Sequence, residues 1–260
     1  MASSTISPEP LPAPRLRLSP PLLKDIIEWD VRSWARCLNF WAPVVQTIEP
    51  ASARVLVVGE RNGGISLWFA LQGFNVICTD LGGPTRRASE LHHQYGVSDR
   101  VSYADINVFS MPYPDASFDI VACKSVIGGL KSVYRDATTR TLDIQSRAVE
   151  EIHRVIQPGG FFLGAENLAG TWFHRTIRCW VKKGRVGWRH LTCAEIDQLF
   201  KTFEVVEQKP YGFFGSRFTL LGLDCATAAL DSWACPLLPA DWQYISFIRA
   251  KKHGSSHSDL

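Results

Sequence analysis

The chain has 260 residues, 46% hydrophobic and 20% charged, with a formal net charge of +3. That describes an ordinary globule of one larger domain, or one domain with an insertion, and gives no argument for nucleic acid. No apolar run approaches the roughly 18 residues of a membrane-spanning helix, and the seven scattered cysteines without C-x-x-C favour reduced thiols in a cytoplasmic setting over a disulfide framework.

Residues 1–21, MASSTISPEPLPAPRLRLSPP, are rich in proline, serine and alanine and read as a disordered arm. The arm has no h-region for secretion. It is serine-rich with Glu9 as its one acid, so organelle import is the alternative to a cytoplasmic location, an idea the prolines weaken. Residues 22–48 carry the stripe Ile27, Val31, Trp34, Leu38, Trp41, Val45 and Ile48, whose steps of four and three fall on one helical face. Pro43 is expected to kink this helix or begin a second one. The stretch reads as a helix packed on a sheet, or, with Trp29, Trp34 and Trp41, as a lid over a ligand.

Residues 55–80, VLVVGERNGGISLWFALQGFNVICTD, organise the rest. Residues 55–58 are a continuous aliphatic run, as in a strand buried on both faces. Gly59, Gly63 and Gly64 supply a turn to which a ligand can come close. Residues 65–71 are apolar almost all round and predict a covered helix, ended by Gly73. Residues 75–79 are a second strand, with Asp80 at its carboxyl end, where open parallel sheets bind ligands. Dinucleotide patterns fail here: Arg61 breaks G-x-G-x-x-G, Ile65 breaks G-x-x-x-G-x-G, and no tyrosine has a lysine four residues on. Hydride transfer is therefore disfavoured.

Further strands are predicted over 101–103, 118–123, 161–165, 203–208 and 244–249, with helices over 85–95, 138–156 and from 193 to about 201. Pro158, Gly159 and Gly160 should stop the second of those helices. Thr192-Cys-Ala-Glu195 is a capping box opening the third. Strands alternating with helices argue a doubly wound, mostly parallel α/β sheet of seven strands. The last strand has no simple crossover and is expected to run antiparallel, at or near an edge. The division is a disordered arm (1–21), one domain (22–250) with a helical lid (22–48) and an apolar insertion (211–242), and a disordered tail (251–260). The insertion, with Phe213, Phe214, Leu220, Leu221, Trp233 and Trp242, should carry its own helix and pack on the sheet. Its alternatives are a hydrophobic acceptor wall or a homodimer face.

Four pieces in order, VLVVGERNGG with Asp80, YADI with Asp105, PYPDASFDIVACKSVIGGL, and EIHRVIQPGGFFLGAEN, resemble the class I S-adenosylmethionine-dependent methyltransferases of the small-molecule type. The resemblance covers roughly residues 50–250 and implies a Rossmann-like fold, S-adenosyl-L-methionine as cofactor and a small-molecule methyl acceptor. It implies that Gly59, Glu60, Arg61, Asn62 and Gly63 pass under the methionine and ribose, and that Asp80 accepts from both ribose hydroxyls. Leu81 would pack on adenine, Asp105 accept from its amino group with Ile106 nearby, and Cys123 and Lys124 lie near the methionine end. The sequence departs from the family at Val57, where an acid is usual, at Arg61, where glycine is usual, and at Gly128 and Gly129, where bulkier residues are common. Glu60 is the candidate to replace the missing acid and hold the methionine ammonium. The glycine pair leaves room near the site or makes a flexible turn.

For proton removal from the acceptor the candidates are Glu166, which ends a strand on the ligand side, and His174, which reads more readily as a histidine on a surface helix. Arg175, Arg178, Lys182, Lys183, Arg185 and Arg189 are a solvated face or, with Trp172, Trp180 and Trp188, a patch for an acidic substrate. Glu90 with His93, and Glu150 with His153, are E-x-x-H pairs read as coincidence, and no cysteine–histidine cluster has zinc spacing. No metal is expected. Neither N-P-P-Y nor a Pro-Cys nucleophile is present, so a nucleic-acid substrate is disfavoured. A non-catalytic protein that keeps the fold is the alternative from another class.

Overall fold

The computed structural model describes residues 16–130, 142–172, 174, 188–214 and 224–254. The described elements run α1 (Pro20–Ile27), α2 (Val31–Trp34), α3 (Arg36–Val45), β1 (Arg54–Val58), α4 (Gly64–Ala70), β2 (Asn75–Asp80), α5 (Arg86–Gln94), β3 (Val101–Asp105), β4 (Phe118–Lys124), α6 (Asp143–Val155), β5 (Ile156–Asn167), α7 (Cys193–Leu199), β6 (Val205–Tyr211), α8 (Asp224–Ala234) and β7 (Ile245–Lys251).

The seven strands form one sheet in the order β3-β2-β1-β4-β5-β7-β6. β1, β2, β3, β4 and β5 pair in parallel, and β7 runs antiparallel to both β5 and β6. The last strand is thus antiparallel as expected, inserted one place in from the edge. β6 takes the edge position, where Pro210 leaves no ladder bond unmade within the sheet. The chain order reverses between β1 and β4, so the crevice of this doubly wound sheet opens above those two carboxyl ends.

Alternation along β1 separates two cores. Val55 and Val57 face a cluster with residues of α1, α3, α4 and α5, while Leu56 and Val58 face a second cluster with residues of α6 and α7. Every residue of α4 is buried. Its fit under α1 is close: a Cβ on Gly64 would lie 2.2 Å from the Ile26 carbonyl oxygen.

The apolar stripe of residues 22–48 is buried as predicted, with Trp34, Leu38, Trp41 and Val45 in the core. Its break lies elsewhere. Pro43 sits within the last turn and a half of α3, and the chain turns at Glu28 and Asp30, both at positive φ (70° and 42°). The capping box at Thr192 and Glu195 is present. α6 passes directly into β5, so Pro158, Gly159 and Gly160 lie inside the strand instead of stopping the helix. There they form an irregularity in the pairing with β4.

The part of the predicted arm that is described belongs to the fold. Leu16 and Leu18 pack on the core, Ser19 caps α1 and Pro20 begins it. Residues 1–15 lie outside the described residues. At the other end β7 includes Lys251, and the Lys252 ammonium donates to the His153 and Ile156 carbonyls. Within the insertion α8 is the expected helix, while Leu220 and Leu221 fall outside the described residues.

Candidate active site

β1 ends in a loop whose shape is set by two glycines. Gly59 (φ 67°) and Gly63 (φ 81°) both adopt left-handed backbone. A Cβ on Gly63 would lie 2.7 Å from the His92 ring. That ring is fully buried, with Nε2 2.8 Å from the Gly63 carbonyl and Nδ1 2.7 Å from the Tyr103 hydroxyl. A carbonyl only accepts, so Nε2 carries the proton and Nδ1 accepts from Tyr103. Burial lowers the His92 pKa and keeps the ring neutral. His92 thus holds the glycine loop against β3, a support that the sequence pattern did not show.

Within the loop, Arg61 is exposed and its carbonyl accepts from the Thr85 amide and hydroxyl. The Asn62 amide donates to Glu28 at 2.6 Å, tying the loop to the α1–α2 elbow. Glu60 turns inward. Its carboxylate accepts from the Ser66 amide at 2.6 Å, in the first turn of α4, and burial pushes its pKa up to about 7.

β2 and β3 end in register, with Asp80 opposite Asp105. Asp80 is half-buried, and burial raises its pKa. Its carbonyl accepts from the amides of Gly83 and Ile106. Asp105 is exposed and accepts from the Gly82 amide at 2.7 Å. Leu81 is 55% exposed, whereas Ile106 is buried in the second core. Two carboxylates and an exposed apolar side chain therefore share one rim.

β4 ends in Cys123 and Lys124, and Ser125 follows it. Cys123 is fully buried and its thiol faces Glu166 at 4.0 Å, away from the loop. Lys124 is also buried, and its ammonium donates at 3.0 Å to the Ile27 carbonyl at the end of α1, which also accepts from the Trp29 amide. The same ammonium lies 3.2 Å from the centre of the Trp29 ring. Burial lowers the Lys124 pKa to about 8 against the pull of Glu60 and Glu28. Ser125 has φ 61°, an uncommon backbone for a side-chain-bearing residue. Three of the four non-glycine positive-φ residues described, Glu28, Asp30 and Ser125, border this crevice, and sequence reasoning picked out none of them for strain.

Glu166 and His174 were the candidate bases, and both are engaged. Glu166 is fully buried. It accepts from the amides of Val126 and Ile127 at 2.8 Å and Gly128 at 3.3 Å, and burial raises its pKa to about 7. His174 is buried, not a surface histidine: Nε2 lies 2.7 Å from the Phe213 carbonyl and Nδ1 meets the amide and hydroxyl of Thr171. Nε2 must donate there, so Nδ1 accepts from the Thr171 amide.

Gly128 and Gly129 leave no room. Cβ atoms there would lie 2.3 Å from the Arg189 carbonyl oxygen and 2.9 Å from the Trp188 ring. The pair exists so that residues 188–189 can pack on the loop after β4. Arg189 also pairs with Glu195, while Trp172 is 76% exposed. Trp180, Arg175, Arg178, Lys182, Lys183 and Arg185 lie outside the described residues.

The sheet order, the loop after β1 and the acidic rim define a doubly wound α/β domain whose crevice above β1 and β4 is where such sheets bind ligands. Residues 56–164 match the family described as "Methyltransferase domain". A curated relative, the ubiquinone/menaquinone biosynthesis C-methyltransferase of Pectobacterium carotovorum subsp. carotovorum (strain PC1), is 26% identical over 154 residues, 56% of this chain. The chain spans 53% of that relative's length and 17% of a second, longer one.

Among solved structures, a Haemonchus contortus phosphoethanolamine N-methyltransferase 2, in complex with phosphomonomethylethanolamine and S-adenosylhomocysteine, superposes with a TM-score of 0.58. It is 18% identical, over 85% of this chain and 53% of that one. The [4+2]-cyclase SpnF superposes with a TM-score of 0.56 at 17% identity, over 86% of this chain and 83% of that one. The fold is the one these proteins share. The family match covers residues 56–164, and solved structures of the same fold hold S-adenosylmethionine or S-adenosylhomocysteine. Among the described residues no helix is long and apolar enough to cross a membrane.

Proposed function

We propose that the chain moves the methyl group of S-adenosylmethionine to an oxygen, nitrogen or carbon of a small-molecule acceptor. The observation that supports this best is the rim: Asp80 and Asp105 side by side, next to the loop of Gly59–Gly63, at the carboxyl edge of the sheet. A half-buried carboxylate with two acceptor oxygens suits a ribose diol, and Asp105 beside exposed Leu81 suits adenine. The relatives' names support a methyltransferase but differ in acceptor, so the acceptor is inferred only as a class.

When bound, the sulfonium supplies an activated methyl group, and the chain's task is to orient the acceptor in line and exclude water. The elbow at 27–30 covers the crevice from one side, tied to it through Lys124, Asn62 and Tyr244. We assign Glu166 and His174 to positioning. Glu166 holds the turn after β4, and His174 joins residues 171–174 to Phe213, both through atoms already in hydrogen bonds. The His174 ring packs against those of Phe213 and Tyr244, next to the start of β7, and gives the acceptor end an aromatic wall.

Calorimetry with S-adenosylmethionine and S-adenosylhomocysteine tests the cofactor. Asp80→Ala should weaken binding by about 1 to 3 kcal/mol, the scale of hydrogen bonds to a charged group. Unchanged affinity in the folded variant would remove the ribose from Asp80. Incubation with methyl-labelled cofactor and a cell extract should give a labelled small molecule. Tight binding with no labelled product from any extract would favour the non-catalytic reading, for which the departures at Val57 and Arg61 speak.

A further inference from the structure

α8 and the turn after it present their apolar side chains outward. Thr227, Asp231 and Cys235, four residues apart, form the buried face. Asp231 accepts there from the Phe213 and Phe214 amides at 2.9 Å. Leu230, Trp233 and Leu237, at steps of three and four, lie on the outer face, the last two 73% exposed. Every exposed side chain from 226 to 240 is uncharged. A helix of a globular domain turns its apolar stripe to the core and its charges to water, and this one does the reverse. A contiguous exposed apolar face of that kind marks a contact surface.

The chain's excess of positive charge is gathered in one stretch, which begins beside that face. Residues 168–194 hold six of the 28 Lys and Arg and no acid, leaving 22 cations against 25 acids in the rest of the chain. The stretch is rooted next to α8: His174 Nε2 meets the Phe213 carbonyl, and Asp231 holds the Phe213 amide. Trp242, 47% exposed, has its ring 6.2 Å from that of Phe213. From this pairing of an uncharged, tryptophan-bearing face with a concentrated positive stretch, we propose that α8 docks the chain on an anionic lipid bilayer surface. Tryptophan suits the boundary between headgroups and acyl chains, where the ring is apolar and the indole N–H reaches water. Apolar burial and attraction to anionic headgroups are two signals that together hold a peripheral protein. A second copy paired through α8 would bring two such stretches toward each other, like charge against like, whereas an anionic surface complements them. Docking by this face does not depend on methyl transfer.

Co-sedimentation of the full chain with vesicles tests this. The chain should bind vesicles of mixed phosphatidylglycerol and phosphatidylcholine. It should bind pure phosphatidylcholine, or the mixed vesicles at high salt, roughly tenfold more weakly, because either change removes the headgroup attraction. Trp233→Gln combined with Leu237→Gln should weaken binding to the mixed vesicles by roughly tenfold or more, through lost apolar burial. Both positions are exposed, so the variant should keep the wild-type circular dichroism and unfolding midpoint. Should it not fold, fluorescence quenching by lipids brominated near the headgroup should be strong in the wild type and weaker in Trp233→Phe. No wild-type binding to the mixed vesicles would overturn the proposal, and so would equal binding to pure phosphatidylcholine. Unchanged binding by the folded double variant, or unchanged quenching in Trp233→Phe, would also overturn it and take the contact away from α8. A dimer that the double variant dissociates, with no vesicle binding, would assign the face to a second copy instead.

Discussion

At the scale of single residues, the loop after β1 depends on space as much as on backbone freedom. Gly63 and Gly83 have nearly the same φ, 81° and 82°, but a Cβ on Gly63 meets the His92 ring at 2.7 Å while one on Gly83 meets nothing closer than 4.0 Å. Both alanine variants carry the strain of left-handed backbone, about 1 kcal/mol, and only Gly63→Ala must also displace a hydrogen-bonded ring. Gly63→Ala should therefore lower the midpoint of thermal unfolding more than Gly83→Ala; equal losses would show that His92 yields freely.

Glu166 gives a prediction in pH. Its pKa is raised from 4.5 to about 7 by burial, so the native state holds a proton that the unfolded chain has released. That contribution to stability is complete below 4.5 and is lost as pH rises through about 7. Glu166→Gln has no such titration. Relative to it, the wild type should lose on the order of 2–3 kcal/mol between pH 4.5 and 8, measured by denaturant unfolding at each pH. A pH-independent difference would mean that the three amide donors hold Glu166 ionised throughout.

At the scale of elements, the α1–α2 elbow is where the helical N-terminal segment meets the site. Its ends are fixed by different strands: Asp30 accepts from the Tyr244 hydroxyl at 2.7 Å at the start of β7, and Ile27 accepts from Lys124 at the end of β4. The Tyr244 oxygen also lies 2.9 Å from the Ser33 hydroxyl, which donates to it because the phenol proton is already on Asp30. Tyr244→Phe leaves a partly buried Asp30 short of a donor, a cost of about 1–2 kcal/mol. The loss should show locally, as faster proteolytic cleavage at residues 28–30 and faster amide exchange in α2, more than as global unfolding. The stripe from Ile27 to Val45 was legible in the sequence because burial imposes a 3.6-residue period. The break was not, because Pro43 can ride in the last turns of a helix, while a left-handed Glu28 or Asp30 is held by tertiary bonds that no local pattern encodes.

For the whole molecule, the crevice proposed for the cofactor joins elements from both halves of the sheet and from the N-terminal helices, so a ligand there should stabilise all of them together. Saturating S-adenosylhomocysteine at about 100 times its dissociation constant should add about 2.7 kcal/mol and raise the unfolding midpoint as one transition. A shift confined to one of two separated transitions would mean that the helical segment and the sheet fold independently.

The seven-stranded sheet, its two-sided burial and the acids at the ends of β2 and β3 were legible before any coordinates. Each is written locally, as aliphatic runs, glycine turns and an acid after a strand. Parallel pairing with helices on both faces follows from those runs, since each strand must be covered twice. What the folded chain alone decided is which polar groups are already spoken for. Glu60, Cys123, Glu166 and His174 were picked out by sequence, and their polar atoms face Ser66, Glu166, the turn after β4 and Phe213. Likewise Gly128 and Gly129 looked like open space and proved to be the seat of Trp188 and Arg189. Sequence spacing fixes where a side chain starts; its direction and most of its partners come from other segments of the chain, and only close packing in three dimensions sets them.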